Sequence, residues 1–392
     1  MFSSEEIAVL QAQSDAIPEQ LHRNMRVFPD EKTPVLLAGA SYLGIWLEHN
    51  QDVYFAADDI CPCTAWQSQE IFMKYQRADG LLPAAVKCDP FVVRYAQLQT
   101  VWPFARCALE VAKKCERPEE DFARIYAAGC RYDEFLLRNR SHSGTGLVEM
   151  FCEFDTGHDC SPRVCDGGLP RACPDGDAAK MPELSCMPLI AADLSAMRFG
   201  ALEALAELAD MLGKERESAR HREQAQELKM QMEKLLYDPE DEFFYDLAPQ
   251  GRRKYRTEHM TRLFLNGVVD QAMFDRIYDR YFAPGKEFFT AYPYPAVSPL
   301  DPAFCKDLPP NCWGSNTQML TLLRALLWMP RYGREEDLRE IMRRFLRSYC
   351  DNFNCYSQEL NPFTGEPIAG EGNYTPAMLF FRAACRMPGV LE

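Results

Sequence analysis

The strongest constraint on this chain is a helical periodicity that recurs in pairs. Apolar residues fall three and four apart in AWQSQEIFMKYQRAD, YAQLQTVWPFARCALEVAKKC, PEEDFARIYAAGCRYDEFLLRNR, IAADLSAMRFGALEALAELADMLG and ESARHREQAQELKMQMEKLLYD. In YAQLQTVWPFARCALEVAKKC and PEEDFARIYAAGCRYDEFLLRNR that spacing lines one face of a helix. Further helices fit 257–268, 271–281, 317–329, 335–353 and 375–387. Thr64 reads as an N-cap for the first of these segments, Gly80 as its stop, and Gly213 as the stop of the fourth. Strand signals are few, and EFFYDLA reads as a short hairpin arm. A helical hairpin recurs roughly every 60 residues, which allows about six of them. Six hairpins closing in a ring make an α/α toroid, although periodicity alone equally permits an open stack.

Within each pair one connection is short. The other is long and rich in Gly, Pro, Cys, Asp and aromatic residues, over 50–63, 140–187, 282–316 and 354–374. Long loops inside a compact domain are mostly functional. With no linker, charge block or strict repeat, residues 1–392 are expected to form a single all-α domain with its decorated loops at one end.

Composition narrows the partners. The 392 residues are 47% hydrophobic, enough for a large core. A formal net charge of −15 argues against nucleic acid and against an anionic membrane surface. No run approaches the ~18 apolar residues of a membrane span. The opening MFSSEEIAVLQAQSDAIPEQ lacks the basic and apolar regions of a signal peptide, so a cytoplasmic location is expected. The 16 cysteines are scattered and are expected to be reduced thiols, mostly buried. Cys61-Pro-Cys63 alone is weak support for zinc, and no two histidines share ligand spacing. No metal and no cofactor are expected. A homo-oligomer is left open.

The loops concentrate acids and aromatics: YFAADDICPC, EFDTGHDCSPR, FTAYPYPAVSPLDPAF with NCWGSNTQ, and CYSQELNPFTGEPIAGEGNYTP. Carboxylates grip sugar hydroxyls and aromatic faces stack on sugar rings. Two opposed carboxyls are the minimum machinery of glycoside hydrolysis, one holding its proton and one ionised. Taken singly, each acid is more often a cap or a solvated surface group. Asp159 before Ser161-Pro162 also reads as a turn former. Trp102 and Trp328 fall in helical patterns typical of core, and His158 divides evenly between a structural and a site role.

In their order along the chain these stretches resemble the trehalase-like six-hairpin glycosidases of glycoside hydrolase family 63, including mannosylglycerate and glucosylglycerate hydrolases. EFDTGHDCSPR resembles the family's Glu-Ser-Gly-x-Asp-Asn-Ser-Pro-Arg signature, and YQRADGLLPA its Gln-x-x-Asp-Gly-x-Ile-Pro element. YPAVSPLDPAF resembles Pro-Ser-Val-x-x-x-Asp-Pro-x-Phe. CWGSNTQMLTLLRAL stands where the family has Trp-Arg-Gly-Pro-Val-Trp, and ELNPFTGEP resembles Tyr-Asn-Pro-x-Thr-Gly. The resemblance implies an (α/α)6 barrel and inverting hydrolysis of an α-glycosidic bond in a small oligosaccharide or glycoside.

It also implies roles. Asp159 is the general acid. The family places its base Glu four residues before the Pro, where this chain has Gln358, so Glu359 is the expected base and Glu371 the fallback. Asp59 is expected to grip the sugar and Trp313 to form a platform, with Gly314 replacing the family's Arg. Trp46, Glu48, Gln99, Trp102 and Tyr374 complete the expected substrate-binding set, together with Gly157, His158 and Arg163 of the signature. Glu371 belongs to that set as well. The basic run Arg252–Arg256 reads equally as a solvated surface turn or as a partner for a carboxylate-bearing aglycone. A sugar epimerase on the same barrel is the alternative, although it usually needs paired histidines. A non-catalytic sugar-binding protein is the third reading.

Overall fold

The computed structural model describes residues 2–307, 309, 311–352, 355–368 and 372–392. Among these, the main helices are α1 (Ser4–Arg23), α2 (Asp52–Ala56), α3 (Pro62–Lys74), α4 (Phe104–Lys114), α5 (Glu119–Asn139), α6 (Ala192–Met211), α7 (Glu215–Leu235), α8 (His259–Asn266), α9 (Gln271–Ile277), α10 (Met319–Arg331), α11 (Glu335–Asp351) and α12 (Thr375–Arg386). The even-numbered helices pack neighbour to neighbour, and α12 returns to α2, so they close an inner ring. The odd-numbered helices form the outer layer: α1 lies on α12, α3 on α2 and α4, α5 on α4 and α6, and α7 on α6. This is an (α/α)6 toroid, the closed alternative of the two that periodicity allows.

The inner and outer roles follow from sequence pattern. In α6 nearly every residue is buried, from Leu194, Met197 and Leu202 to Leu205 and Leu208. A helix apolar all round must be covered on all sides. Its partner α7 buries only Ser218, His221, Ala225, Leu228 and Met232, one stripe along an otherwise charged helix. Turns from inner to outer helices are short, as at 212–214, where Gly213 takes φ +67°. Outer-to-inner connections are long, over 24–51, 75–103, 140–191, 236–258, 278–318 and 352–374. They carry the few short strands, including the arms Phe243–Phe244 and Asp246–Ala248 expected from EFFYDLA.

Several expectations change. The loop over 50–63 is largely helix α2 and its short turn to α3. Cys61, not Thr64, caps α3, because Pro62 suits the first helical turn. That helix ends at Lys74, and Gly80 instead closes a later turn at φ +99° against the Arg131 carbonyl. The helix at α4 begins only at Phe104, with 95–103 irregular before it. The sequence reading does not assign α1, although Ser3 and Glu6 form a reciprocal capping box at its start. Cys61 and Cys63, expected as free thiols, form a disulfide. Among the described residues no helix is long and apolar enough to cross a membrane.

Candidate active site

The long connections meet where the inner helices begin. Glu48 precedes α2, Gln99 precedes α4, Asp193 opens α6, Glu258 caps α8, Gln318 caps α10 and Tyr374 caps α12. At their centre lies a buried charge network. The Arg163 guanidinium donates to both Asp246 carboxylate oxygens at 2.6 and 2.8 Å and to both Asp193 oxygens at 2.9 and 2.6 Å. It also donates to His158 Nδ1 at 3.1 Å, which leaves Nε2–H to donate to Glu258 at 2.5 Å. Arg262 donates to Glu258 at 3.1 Å, to Asp193 at 3.1 Å and to the Thr156 carbonyl. Burial first, and the Arg262 charge second, push His158 down to about 3, so its imidazole is neutral. Burial opposes ionisation of Asp193, but Arg163 outweighs it and holds that carboxyl well below the usual range.

This network fixes the loop that carries the sequence-predicted acid. Gly157 takes φ +69°, and a Cβ there would collide with the Glu48 carboxylate. Only glycine permits both the backbone angle and that approach. Two residues on, Asp159 Oδ1 is buried without a hydrogen-bond partner. Burial, then the neighbouring Glu48 charge, push the Asp159 carboxyl up to about 8. Among the described residues the Glu48 carboxylate accepts only long bonds, from Gln99 Nε2 at 3.4 Å and Arg324 Nη2 at 3.4 Å.

The second carboxylate sits on strand Glu359–Leu360, antiparallel to Thr317–Gln318 with Gln318 directly opposite Glu359. Glu359 Oε2 accepts the Asn311 N–H at 2.9 Å and Oε1 accepts the Gln318 amide. Burial raises its proton affinity, and these neutral donors oppose the rise. The adjoining Gln358 takes the Tyr42 hydroxyl at 2.6 Å and donates to the Asn311 side chain at 2.6 Å. One tripeptide joins the two acids: Asn311 N–H binds Glu359, and Trp313 N–H donates to the Asp159 carbonyl at 2.8 Å. Two residues span at most about 7 Å, so the Glu359 carboxylate and the Asp159 main chain are anchored to one short segment.

The expected set divides on this geometry. Glu48, Gln99, Gly157, Asp159 and Trp313 come together. Trp46 and Tyr374 join through Tyr42, whose ring lies 5.4 Å from Trp46 and 6.1 Å from Tyr374. His158 and Arg163 lie beside them but are buried within the network, so they hold the loop and face no open space. Asp59 is set elsewhere, its carboxylate paired with Arg382 of α12 at 2.5 Å. Trp102 is directed away from the acids. It stands edge-on to Tyr54 and borders a cleft of about 620 Å³ that reaches Gly267, Arg331 and Tyr332 at the far ends of α8 and α10. Glu371 lies outside the described residues. In the basic run, Arg256 pairs with Glu287, Lys254 with Asp238 and Asp241, and Arg252 bonds the Leu235 carbonyl.

Sequence reasoning misses Tyr42, His49, Asp246, Glu258 and Arg324. The spacing His49-x-x-Asp52 is a local signal, since that pair meets at 3.1 Å, and Tyr374 reaches the other His49 nitrogen at 3.2 Å. One trio among the described residues, Cys152, Asp155 and Cys173, brings possible ligand atoms within 4.8 Å. The Arg140 guanidinium already pairs with Asp155 there and disfavours a cation.

Comparison with known proteins agrees with this architecture. Residues 50–375 match the mannosylglycerate hydrolase MGH1-like glycoside hydrolase domain. The GH63 mannosylglycerate hydrolase from Thermus thermophilus, solved with glucose, is 18% identical with a TM-score of 0.76, over 95% of this chain and 99% of that one. The same hydrolase has been solved with Tris and D-glycerate, at a TM-score of 0.74. Neutral trehalase from Saccharomyces cerevisiae superposes with a TM-score of 0.72 at 12% identity, over 95% of this chain and 80% of that one.

Proposed function

We propose how this site works in a chain that belongs to the mannosylglycerate hydrolase MGH1-like glycoside hydrolase family: it cleaves a small α-glucoside or α-mannoside from its end, with inversion. Asp159 is the general acid and Glu359 the general base. The carrying observation is the segment 311–313, whose Asn311 N–H holds the Glu359 carboxylate and whose Trp313 N–H holds the main chain of Asp159, the residue whose carboxyl keeps its proton. In the reaction the Asp159 proton passes to the glycosidic oxygen as the bond to the anomeric carbon breaks. Glu359 takes a proton from a water that attacks that carbon from the opposite face. Glu48, with spare acceptor capacity, is suited to bind sugar hydroxyls and to face the positive charge of the transition state.

The aglycone reading rests on Arg171. Its guanidinium is exposed, lies 5.1 Å from the Phe154 ring, and acts on Asp159 as an opposing charge. A carboxylate-bearing aglycone such as glycerate, found in the Thermus enzyme, suits that position. The epimerase alternative draws no support from His158 or His259. Burial pushes these two imidazoles down to about 3 and about 4, so neither serves as an acid at neutral pH.

The experiment is a hydrolysis screen of α-mannosyl- and α-glucosylglycerate, trehalose and aryl α-glycosides, repeated with Glu359→Gln. A glycosylglycerate is expected to be cut fastest. The variant is expected to lose about 10²–10⁴-fold in kcat, the usual contribution of a general base. Wild-type kcat in that variant removes Glu359 from the mechanism.

A further inference from the structure

Two of this chain's departures from the family pattern bear on Glu359 directly. The carboxylate is one position later than the resemblance implies, with Gln358 in the expected place. In the element matching Trp-Arg-Gly-Pro-Val-Trp, the final Trp is Gln318. The two departures meet in space, because Gln318 and Glu359 are register partners on paired strands. Cross-strand partners project on the same face, and the Gln318 amide donates to Glu359 Oε1. Gln318 is 1% exposed, at the cap of inner helix α10.

We propose that Gln318 is a positioning residue for Glu359, fixing one carboxylate oxygen so that the other faces the attacking water, and thereby sustaining a base displaced by one residue. The inference rests on the assignment of Glu359 as base. An ionised carboxylate has about four acceptor positions. Gln318 takes one on Oε1 and the Asn311 N–H takes one on Oε2, and the Asn316 side chain and the Cys312 N–H add weaker hydrogen bonds. Asn311 is itself locked, with φ +61° and its side chain accepting from Gln358, which in turn accepts from Tyr42. Glu359 is therefore held from both sides by amides. The Cys312 thiol, pushed up to about 12 mainly by burial, is the titratable group that links Glu359 to Cys160 and Asp159, since all three act on it. None of these supplies a positive charge, so the amide donors carry the stabilisation of the ionised form.

The first readout of the test needs no substrate. Glutamate labelled with ¹³C at Cδ is incorporated, and the Glu359 carboxyl signal is assigned as the one lost in Glu359→Gln. Its titration is then followed in the wild type, in Gln318→Met and in Gln318→Glu. Loss of a donor favours the protonated form, so the Gln318→Met midpoint is expected to rise by about one pH unit. Gln318→Glu places two carboxylates in contact and is expected to split the titration into two steps. The acid limb of kcat/KM on the best screened substrate should move up with the midpoint in Gln318→Met. A midpoint within about 0.2 units of wild type in whichever variant folds overturns the proposal. If instead Glu359→Gln keeps full activity while the midpoint moves, Gln318 still holds Glu359, and it is the base assignment that fails.

Discussion

Asp159→Asn is expected to lower kcat by about 10²–10⁴-fold or more and, increasingly above about pH 4, to make the protein more stable. Both effects come from one buried proton. In the folded chain the carboxyl keeps its proton to about 8, whereas an unfolded chain releases it near an ordinary value of about 3.9. Between those limits the folded state holds a proton that the unfolded state has lost. Stability from this group is therefore complete below about pH 4 and is lost as pH rises towards about 8. Asparagine carries no such proton and no charge to bury. Thermal unfolding of the two proteins should nearly coincide near pH 4. By pH 8 the variant should lead by a few kcal/mol, or on the order of 5 °C. Equal pH dependence in both proteins would show that Asp159 ionises normally. The same proton sets the alkaline limb of activity, so turnover should fall as pH rises past about 8.

Arg163→Met is expected to be the most damaging single change to the fold. The guanidinium is 1% exposed and serves two carboxylates, Asp193 and Asp246, that are themselves buried. A methionine of similar volume leaves both charges without their main partner, at a cost of about 3–5 kcal/mol. It also removes the donor that fixes the His158 tautomer. The loop bearing Gly157 and Asp159 would lose its anchor, so activity should fall even in the fraction that stays folded. Differential scanning calorimetry checks the first effect. Adding Asp246→Asn, which deletes one stranded charge, should restore part of the melting temperature. If Arg163→Met melts within about 1 °C of wild type, the network contributes little to stability.

How far the sequence carried depends on the range of each signal. The helices themselves are written locally, but their division into layers, with α6 covered on all sides and α7 buried on one stripe, enters only with the structure. EFDTGHDCSPR is also local and points to Asp159. Ring closure was not local, because α12 meets α2 from the far end of the chain. Asp59 shows the same limit from the other side: an acid in a decorated segment invites a functional reading, yet its partner Arg382 lies 323 residues away. Gly157 is legible as a turn, but the Glu48 carboxylate beneath it is not. The partners of Arg163 come from the start of α6 and from the connection 236–258, and no spacing rule links them to the signature. Trp102 has the pattern of a core residue, and its contacts at the far end of the inner ring agree with that pattern.

The most direct measurement for the whole account is the configuration of the sugar at the moment of release. Wild-type protein is mixed with the fastest-cut α-glycoside of the screen, and anomeric proton signals are followed by NMR before mutarotation equilibrates them. Asp159 and Glu359 acting as acid and base on opposite faces predict that the β-anomer appears first and the α-anomer grows in afterwards. Initial release of the α-anomer would mean a retaining mechanism with a covalent intermediate and would contradict the roles given to both carboxylates.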